Sequence, residues 1–344
     1  MSSLEDIGEK SFLRSILPGL ARNGIFVNGF GHDASLLDLG LERHIAFKID
    51  RAPSPIAISR GWSDFKVWGR LAVVANVSDL LATAALPQAM MLSVVLPRDL
   101  DAQKAADIIT GCEESCAQHG VAFVGGDTKE GAAVQVVGAA LGTAAKAYWL
   151  GRNKAVPGDH LIIAGMIGGF SGALSLLDAG EVCDVERQSL LSVLTEPVAR
   201  IREGAYIRES KILHSCMDLS DGLAEAISNF SSDNVGITIN EDALPLHRYA
   251  IDAAHILSVN PSKFAFSVGD WAIAGLVSEG NLGRFLDNAP TDLELCDLGV
   301  FDSSGKCLLK APDGSVRPIP KVLNEQFRTR LEDDGDYFRS VLDA

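Results

Sequence analysis

The sequence predicts an α+β fold of two domains. Three observations favour this class: a length of 344 residues, strands and helices that alternate irregularly, and a break in the pattern near residue 150. Within the first 145 residues several strands follow each other directly, which is typical of α+β chains rather than of strictly alternating parallel sheets. We therefore expect domains at residues 1–150 and 151–344.

The first domain is predicted to begin with an amphipathic helix over residues 3–22. Two further helices are predicted over residues 66–86 and 101–119, and the Gly, Ala and Ser content of the former favours close packing against a sheet. Short runs of apolar and β-branched side chains predict the strands, at residues 44–50, 89–96, 121–124 and 133–143.

The second domain is predicted to follow a Gly- and Pro-containing break at residues 150–158. A strand at residues 160–164 leads into a glycine-rich loop at 165–172. We predict further helices at 173–179, 185–209 and 221–231, strands at 212–217, 235–239 and 263–268, and a hairpin over 299–318. The charged residues 322–344 are expected to be peripheral.

Composition argues against several classes of protein. The chain has 30 Lys and Arg against 45 Asp and Glu, a net charge of −15, the opposite of what a nucleic-acid binder needs. The longest apolar region, residues 80–97, contains polar side chains and a proline, so it predicts a helix, a turn and a strand rather than a membrane span. The first ten residues are charged, so we expect a cytoplasmic protein without a secretory signal. The six cysteines show no disulfide or zinc spacing.

Aspartates that follow apolar segments and lie beside Gly, Ser or Thr are the main functional signal. Several carboxylates in one cleft would repel each other unless cations lay between them, and Mg²⁺ takes oxygen ligands and normally arrives with phosphates. The sequence therefore predicts a site that holds the phosphates of a nucleotide through metal ions. The candidate metal ligands are Asp33, Asp50, Asp79, Asp127, Asp218 and Asp221.

Two of these motifs follow strands and also have simpler explanations. Gly125 and Gly126 let the backbone approach a ligand, and Asp127 with Thr128 offers oxygen ligands, but Asp127 could also cap a turn. The segment Met217-Asp218-Leu219-Ser220-Asp221-Gly222 opens a helix, where Ser220 or Asp221 could be an N-cap. Its two carboxylates exceed what a cap needs, and a helix N-terminus is a natural phosphate site.

Two other motifs are also open to both interpretations. Asp79, in Asn76-Val77-Ser78-Asp79, lies in an apolar helical stretch where a lone Asp is rarely buried without a partner or a metal. It could instead cap the segment that follows. His32, between Gly31 and Asp33, is a candidate phosphate contact or general acid, or an ordinary packed side chain.

Taken in order, these motifs resemble an ATP-binding superfamily. It includes aminoimidazole ribonucleotide synthetase, selenophosphate synthetase, the hydrogenase maturation dehydratase and thiamine-monophosphate kinase, and the match is best with the last. The resemblance extends over roughly residues 28–275, most of the chain. It is carried by Gly31-His32-Asp33-Ala34, Asp50, Asn76-Val77-Ser78-Asp79, Gly125-Gly126-Asp127-Thr128, Arg152, and Met217 through Gly222.

The resemblance implies a two-domain PurM-like fold whose N-terminal domain forms a barrel across a homodimer. It also implies ATP near that interface with several Mg²⁺ ions, held by the six aspartates named above. The catalytic candidates are Asp218, Asp221 and Arg152. The candidate nucleotide contacts are His32, Asn76, Gly125, Gly126, Thr128, Arg152 and Ser220.

The acceptor side departs from the family pattern. The family string Gly-Gly-Glu-Asp-Tyr-Glu-Leu corresponds here to residues 267–273, which keep Asp270 but lose both Glu residues and replace Tyr by Trp271. Asp270 and Trp271 are the candidate substrate contacts. An acidic residue is also usual where this chain has His32.

These observations predict ATP- and Mg²⁺-dependent phosphoryl transfer to a small-molecule phosphate acceptor. The implied reaction resembles that of thiamine-monophosphate kinase, which converts thiamine phosphate into thiamine diphosphate, with an altered acceptor pocket. Two alternatives stay open: an amide-activating synthetase or dehydratase of the same superfamily, and a non-catalytic nucleotide-binding paralogue. No Cys precedes Cys112, which disfavours the selenophosphate branch, and the last residue is Ala344 rather than Cys, which disfavours the hydrogenase branch.

Overall fold

The computed structural model describes residues 3–20, 24–180, 184–320 and 327. Residues 35–145 supply a five-stranded sheet, and residues 159–318 supply a seven-stranded sheet. This mixture of helices and two largely antiparallel sheets confirms the predicted α+β class. None of the described helices has the length and apolarity needed to cross a bilayer.

The first sheet has the strand order β1-β2-β5-β3-β4, with only β3 and β4 parallel. Its strands are β1 (Ser35–Leu37), β2 (Arg43–Ala52), β3 (Leu86–Leu96), β4 (Ala122–Glu130) and β5 (Gln135–Ala145). The accompanying helices are α1 (Leu4–Ile16), α2 (Ile56–Ser59), α3 (Lys66–Ala82) and α4 (Ala102–Gln118).

Helix α3 lies at the centre of the molecule. It packs on β2, β3 and β5 of the first sheet and also contacts β7 and β9 of the second. Gly138 of β5 permits the close approach, because a Cβ there would lie 2.4 Å from Nδ2 of Asn76. Helix α4 meets α3 backbone to backbone at Gly69 and Gly111. Residues near the C-terminal end of α3 therefore face both sheets.

The opposite surface of the first sheet, which we call the open face, carries exposed apolar side chains. These include Phe47, Ile49, Met91 and Val124, and the Ile49 side chain is the most exposed of the four at 69%. Ile49, Ala139 and Met91 form one row across three strands. No other described element covers this row.

The second sheet has the strand order β12-β11-β8-β10-β6-β9-β7. Its strands are β6 (Asp159–Ala164), β7 (Ser215–Asp218), β8 (Gly236–Asn240), β9 (Ile273–Ser278), β10 (Leu295–Asp302), β11 (Cys307–Lys310) and β12 (Val316–Pro318). The helices of this half are α5 (Gly169–Ala179), α6 (Asp184–Thr195), α7 (Ile201–Ser210), α8 (Leu223–Phe230), α9 (Arg248–Leu257) and α10 (Glu279–Asp287).

Several sequence predictions for this half were wrong. The strand expected at 263–268 is a 3-10 helix over Pro261–Phe266, because Pro261 has no N–H and the Asn260 side chain accepts from the N–H of Ser262. The hairpin expected over 299–318 does not form, since β8 lies between β10 and β11. The single helix expected over 185–209 is α6 and α7, with Pro197 between them.

The predicted barrel is not closed within the described part of one chain, since the five strands form an open sheet. The helix expected over 66–86 ends at Ala82, because Ala84 adopts a left-handed φ of 57° and Leu86 begins β3. One apolar cluster also joins the two halves, with Ile207 and Phe285 in the same core as α3. The domain division near residue 150 therefore stays a prediction.

Candidate functional site

Three buried carboxylates from distant parts of the chain meet where the two sheets approach each other. Asp33 precedes β1, Asp79 lies near the end of α3, and Asp218 is the last residue of β7. One oxygen from each lies within 4.8 Å of the others, and no side chain of the three is more than about one-twentieth exposed. The predicted convergence of carboxylates is therefore present for these three residues.

Local hydrogen bonds explain how the chain presents two of these groups. The Asn28 side chain donates to the carbonyl of Ala34 and accepts from the N–H of Leu36, which fixes the loop that carries Asp33. Asp218 pairs with Ile273 of β9, and the next residue, Leu219, donates its N–H to Ala272. The strand then ends in a turn at Gly222, where φ is +82°.

Two cationic side chains partly neutralise the cluster. Lys48 of β2 lies with its Nζ 2.9 Å from Oδ2 of Asp79 and 3.7 Å from Oδ2 of Asp50. Arg152 donates from Nε and Nη2 to Oδ1 of Asp33, at 3.1 and 2.5 Å. Four carboxylates thus share two cations, which leaves a net charge of −2 when all six groups are ionised.

The remaining carboxylate oxygens fit a divalent cation. Oδ2 of Asp33 and Oδ2 of Asp218 are buried, and neither has a hydrogen-bond partner among the described residues. A buried charged oxygen without a partner costs free energy, and a metal ion that takes oxygen ligands removes this cost. Asp33 and Asp218 could therefore hold Mg²⁺ through these oxygens, with Asp79 as a third nearby carboxylate that is bonded to Lys48.

Burial and mutual repulsion perturb the titration of these groups. Burial, followed by the nearby charge of Asp33, raises the pKa of Asp218 to about 7. Burial and the charge of Asp218 likewise raise the pKa of Asp79 well above its usual range. Burial alone would lower the pKa of Lys48, but Asp79 and Asp50 raise it overall, so the ammonium stays charged.

These shifts predict a pH dependence of stability in the absence of metal. A carboxyl whose pKa is raised on folding holds its proton more tightly in the native state, so stability falls as pH rises towards the folded pKa. For Asp218 the window runs from 3.8 to about 7, and the whole loss is on the order of 4 kcal/mol. We expect the melting temperature in EDTA to fall between pH 5 and 8.

Excess Mg²⁺ should reduce the fall of the melting temperature with pH, because a cation that binds the ionised carboxylates stabilises the charged form. In EDTA, the melting temperature of the Asp218→Asn variant should depend less on pH than that of the wild type. A melting temperature in EDTA that rises from pH 5 to 8 in the wild type would contradict the raised pKa.

His32 and Ser220 lie beside the cluster. Nδ1 of His32 accepts from the N–H of Arg152 at 3.0 Å, so the ring helps to fix the backbone that carries the guanidinium. Burial lowers the pKa of His32. Ser220 donates from Oγ to Oδ1 of Asp218 at 3.1 Å. His32 thus contacts a candidate phosphate-binding residue, and Ser220 contacts a candidate metal ligand.

The other three predicted metal ligands are not buried with these carboxylates. Asp50 is at the margin, with a side chain 46% exposed. Asp221 is exposed, three residues beyond Asp218. Asp127 lies on the edge strand β4 in register with Ser93, Val137 and Arg51, three strand spacings or about 14 Å across the sheet. Since Arg51 and Asp50 point to opposite faces, Asp127 projects from the open face.

The remaining candidate nucleotide contacts divide in the same way. Gly125, Gly126 and Thr128 are exposed on β4 with Asp127. Asn76 is fully buried, and its Nδ2 donates to the carbonyl of Ala72 against Gly138. Asn76 therefore packs α3 onto the first sheet, and its assignment as a nucleotide contact stays a prediction.

The two candidate substrate contacts have structural partners. Asp270 accepts from the N–H of Gly168 at 2.6 Å and from the N–H of Phe170 at 2.9 Å, which holds the glycine-rich loop and the start of α5. Burial raises the pKa of Asp270 to about 6 against the effect of these N–H groups. Trp271 is buried in the core shared with α3 and has a left-handed φ of 53°.

Sequence reasoning missed Lys48. The signal was available, because Lys48 and Asp50 are two apart on a strand and so point to the same side. A lysine on the buried side of a predicted strand needs an anionic partner, and the candidate aspartates are several possible partners of this kind.

Comparison with known proteins identifies the family of this chain. The family model for AIR synthase related protein, N-terminal domain, matches residues 31–144. Thiamine-monophosphate kinase from Pyrococcus horikoshii is 31% identical over 218 residues, which cover 63% of this chain and 67% of the relative. The chain belongs to the thiamine-monophosphate kinase-like branch of this superfamily.

Solved structures of this superfamily share the fold. The structure of AaThiL complexed with AMPPCP and TMP superposes with a TM-score of 0.77 at 21% identity, covering 95% of this chain and 99% of that chain. Hydrogenase maturation protein HypE in complex with ATP superposes with a TM-score of 0.64 at 18% identity, covering 92% and 94%. The thiamine-monophosphate kinase-like and hydrogenase branches are thus both structural neighbours.

Proposed function

We propose that this chain catalyses ATP- and Mg²⁺-dependent phosphoryl transfer to a small-molecule phosphate acceptor. The observation that carries the proposal is the convergence of Asp33, Asp79 and Asp218, with two buried carboxylate oxygens that lack a partner among the residues the structure describes. The kinase relative and the neighbour that binds AMPPCP support the choice of a nucleoside triphosphate.

Magnesium would supply charge neutralisation for the phosphates of ATP during transfer. Asp33 and Asp218 would bind it through the unpartnered oxygens. Arg152 holds Asp33 in place and is 28% exposed, so its guanidinium can also donate to a phosphate oxygen. Ser220 orients the Asp218 carboxylate through its hydroxyl.

The reaction needs little acid–base chemistry from the protein. A phosphate monoester is already an anion at neutral pH, so the nucleophile needs no strong general base. Catalysis then depends on positioning and electrostatic stabilisation. His32 fits this account as a residue that positions Arg152, because its Nδ1 already accepts a backbone hydrogen bond.

Thiamine monophosphate is the first acceptor to test, and the residues 267–273 motivate testing others. Asp270 is engaged with the glycine-rich loop and Trp271 with the core, so neither has a side chain free for an acceptor. The family resemblance and the kinase relative support thiamine monophosphate, whereas the altered string supports a different phosphate ester.

The decisive experiment measures ADP release from ATP and Mg²⁺ with thiamine monophosphate, other phosphate monoesters and simple amides, followed by ³¹P NMR of the products. We expect ADP only with a phosphate monoester, and a new phosphoanhydride signal. ADP with an amide, accompanied by inorganic phosphate, would instead favour the amide-activating alternative, which the HypE neighbour motivates. ATP binding without turnover on any acceptor would favour the non-catalytic alternative.

We also propose that two copies associate through the open face of the first sheet. Exposed apolar side chains from three neighbouring strands form a continuous surface there, which is unusual on a monomer. The family resemblance implies the same homodimer. Sedimentation analysis should give a dimer, and the Ile49→Glu variant should sediment as a monomer.

A further inference from the structure

Lys48 occupies a position that a metal ion could otherwise take. Its Nζ lies between Asp79 and Asp50 and is bonded to the former at 2.9 Å. The side chain is 20% exposed and comes from β2, on the side of the sheet that faces α3. An ammonium in this place neutralises two carboxylates that would otherwise need another cation.

The charges of the cluster leave room for one divalent ion. When all six groups are ionised, Asp33, Asp50, Asp79 and Asp218 contribute four negative charges, and Lys48 and Arg152 contribute two positive charges. The carboxylate oxygens without a partner among the described residues belong to Asp33 and Asp218, whereas Oδ2 of Asp79 is bonded to Lys48. A second divalent ion at Asp79 would face the Lys48 ammonium and be repelled.

We propose that Lys48 is a built-in cation that replaces one divalent ion, so that the nucleotide-free site binds a single divalent cation between Asp33 and Asp218. This inference refines the metal site of the proposed function. Its test counts bound ions on the resting protein, so it does not depend on turnover.

The experiment titrates the full chain with Mn²⁺ in the absence of nucleotide and counts bound ions by loss of the free Mn²⁺ EPR signal. We expect one ion for the wild type and for Lys48→Arg, which keeps the charge. Lys48→Met removes the ammonium and should bind two ions. Lys146→Met is the matched control, because Lys146 pairs with Asp38 in a partly exposed ion pair just beyond the ends of β5 and β1, and it should bind one ion.

A second variant keeps the proposal testable if Lys48→Met does not fold. Lys48→Gln also removes the ammonium, while its amide can still donate a hydrogen bond to Asp79, and it should likewise bind two ions. Asp218→Asn should lose the single ion, because it removes a buried oxygen that has no partner among the described residues. Two or more ions on the wild type would overturn the proposal. So would an unchanged count in a folded Lys48→Met or Lys48→Gln protein.

The outcomes separate this inference from the proposed function. A single bound ion with no phosphoryl transfer would leave the role of Lys48 intact and overturn the kinase assignment. Two bound ions with phosphoryl transfer would overturn the role of Lys48 and leave the kinase assignment intact.

Discussion

Asp218→Asn should lower the rate of phosphoryl transfer by about 10³-fold or more. The substitution keeps the shape of the side chain and the oxygen that accepts from Ser220. It removes one of the two unpartnered carboxylate oxygens that would bind the metal. The rate should be measured at saturating ATP and Mg²⁺, with the best acceptor from the screen.

The same variant should be more stable than the wild type when metal is absent. It relieves the repulsion that raises the pKa of Asp218, and we expect it to melt about 2 °C or more above the wild type in EDTA at pH 8. Asp302→Asn is the matched control, because this exposed Asp accepts from the N–H of Ser304 and Asn can do the same. If folded Asp218→Asn turned over at the wild-type rate, the assignment of Asp218 to the metal site would be wrong.

Arg152→Met should destabilise the protein by about 3 kcal/mol, because it leaves the buried Asp33 carboxylate without its cation. Urea unfolding monitored by circular dichroism measures this change. Turnover should also fall, since Asp33 loses the partner that fixes its Oδ1. The exposed pair of Arg98 and Glu130 gives the control, and Arg98→Met should cost about 0.5 kcal/mol or less.

A double variant distinguishes loss of the ion pair from loss of packing. Asp33→Asn combined with Arg152→Met removes the uncompensated charge, so it should recover most of the lost stability while turnover stays low. If the double variant were as unstable as Arg152→Met alone, the loss would come from packing of the long side chain instead.

The sequence predicted the first half of the fold better than the second. Strands β2, β3 and β5 contain apolar, β-branched runs bounded by turn residues, so local patterns define them. In the second half, β9 pairs with β6 and β7, which are distant in sequence, and its glycine and alanine content gives little strand signal. A hairpin over 299–318 was expected, but the insertion of β8 between β10 and β11 is a long-range pairing that no local pattern encodes.

The site shows a similar limit. The motifs identified Asp33, Asp79 and Asp218 because each is an Asp placed after or within an apolar segment. They could not show that Asp127 points to the open face, which depends on the register between β3 and β4. They also could not show that Asp270 is already engaged by backbone groups a hundred residues earlier. The strand register decides the face on which Asp127 lies, and a contact between distant segments decides which groups Asp270 binds.

The bonds from Asp270 to the N–H groups of Gly168 and Phe170 have a consequence for engineering. They connect residues 267–273, the candidate acceptor segment, to the N-terminal end of α5. The two segments therefore cannot be redesigned independently. Libraries that vary residues 267–273 to change acceptor preference should hold Asp270 constant. Libraries that randomise it should return mostly misfolded clones, whatever acceptor is used for selection.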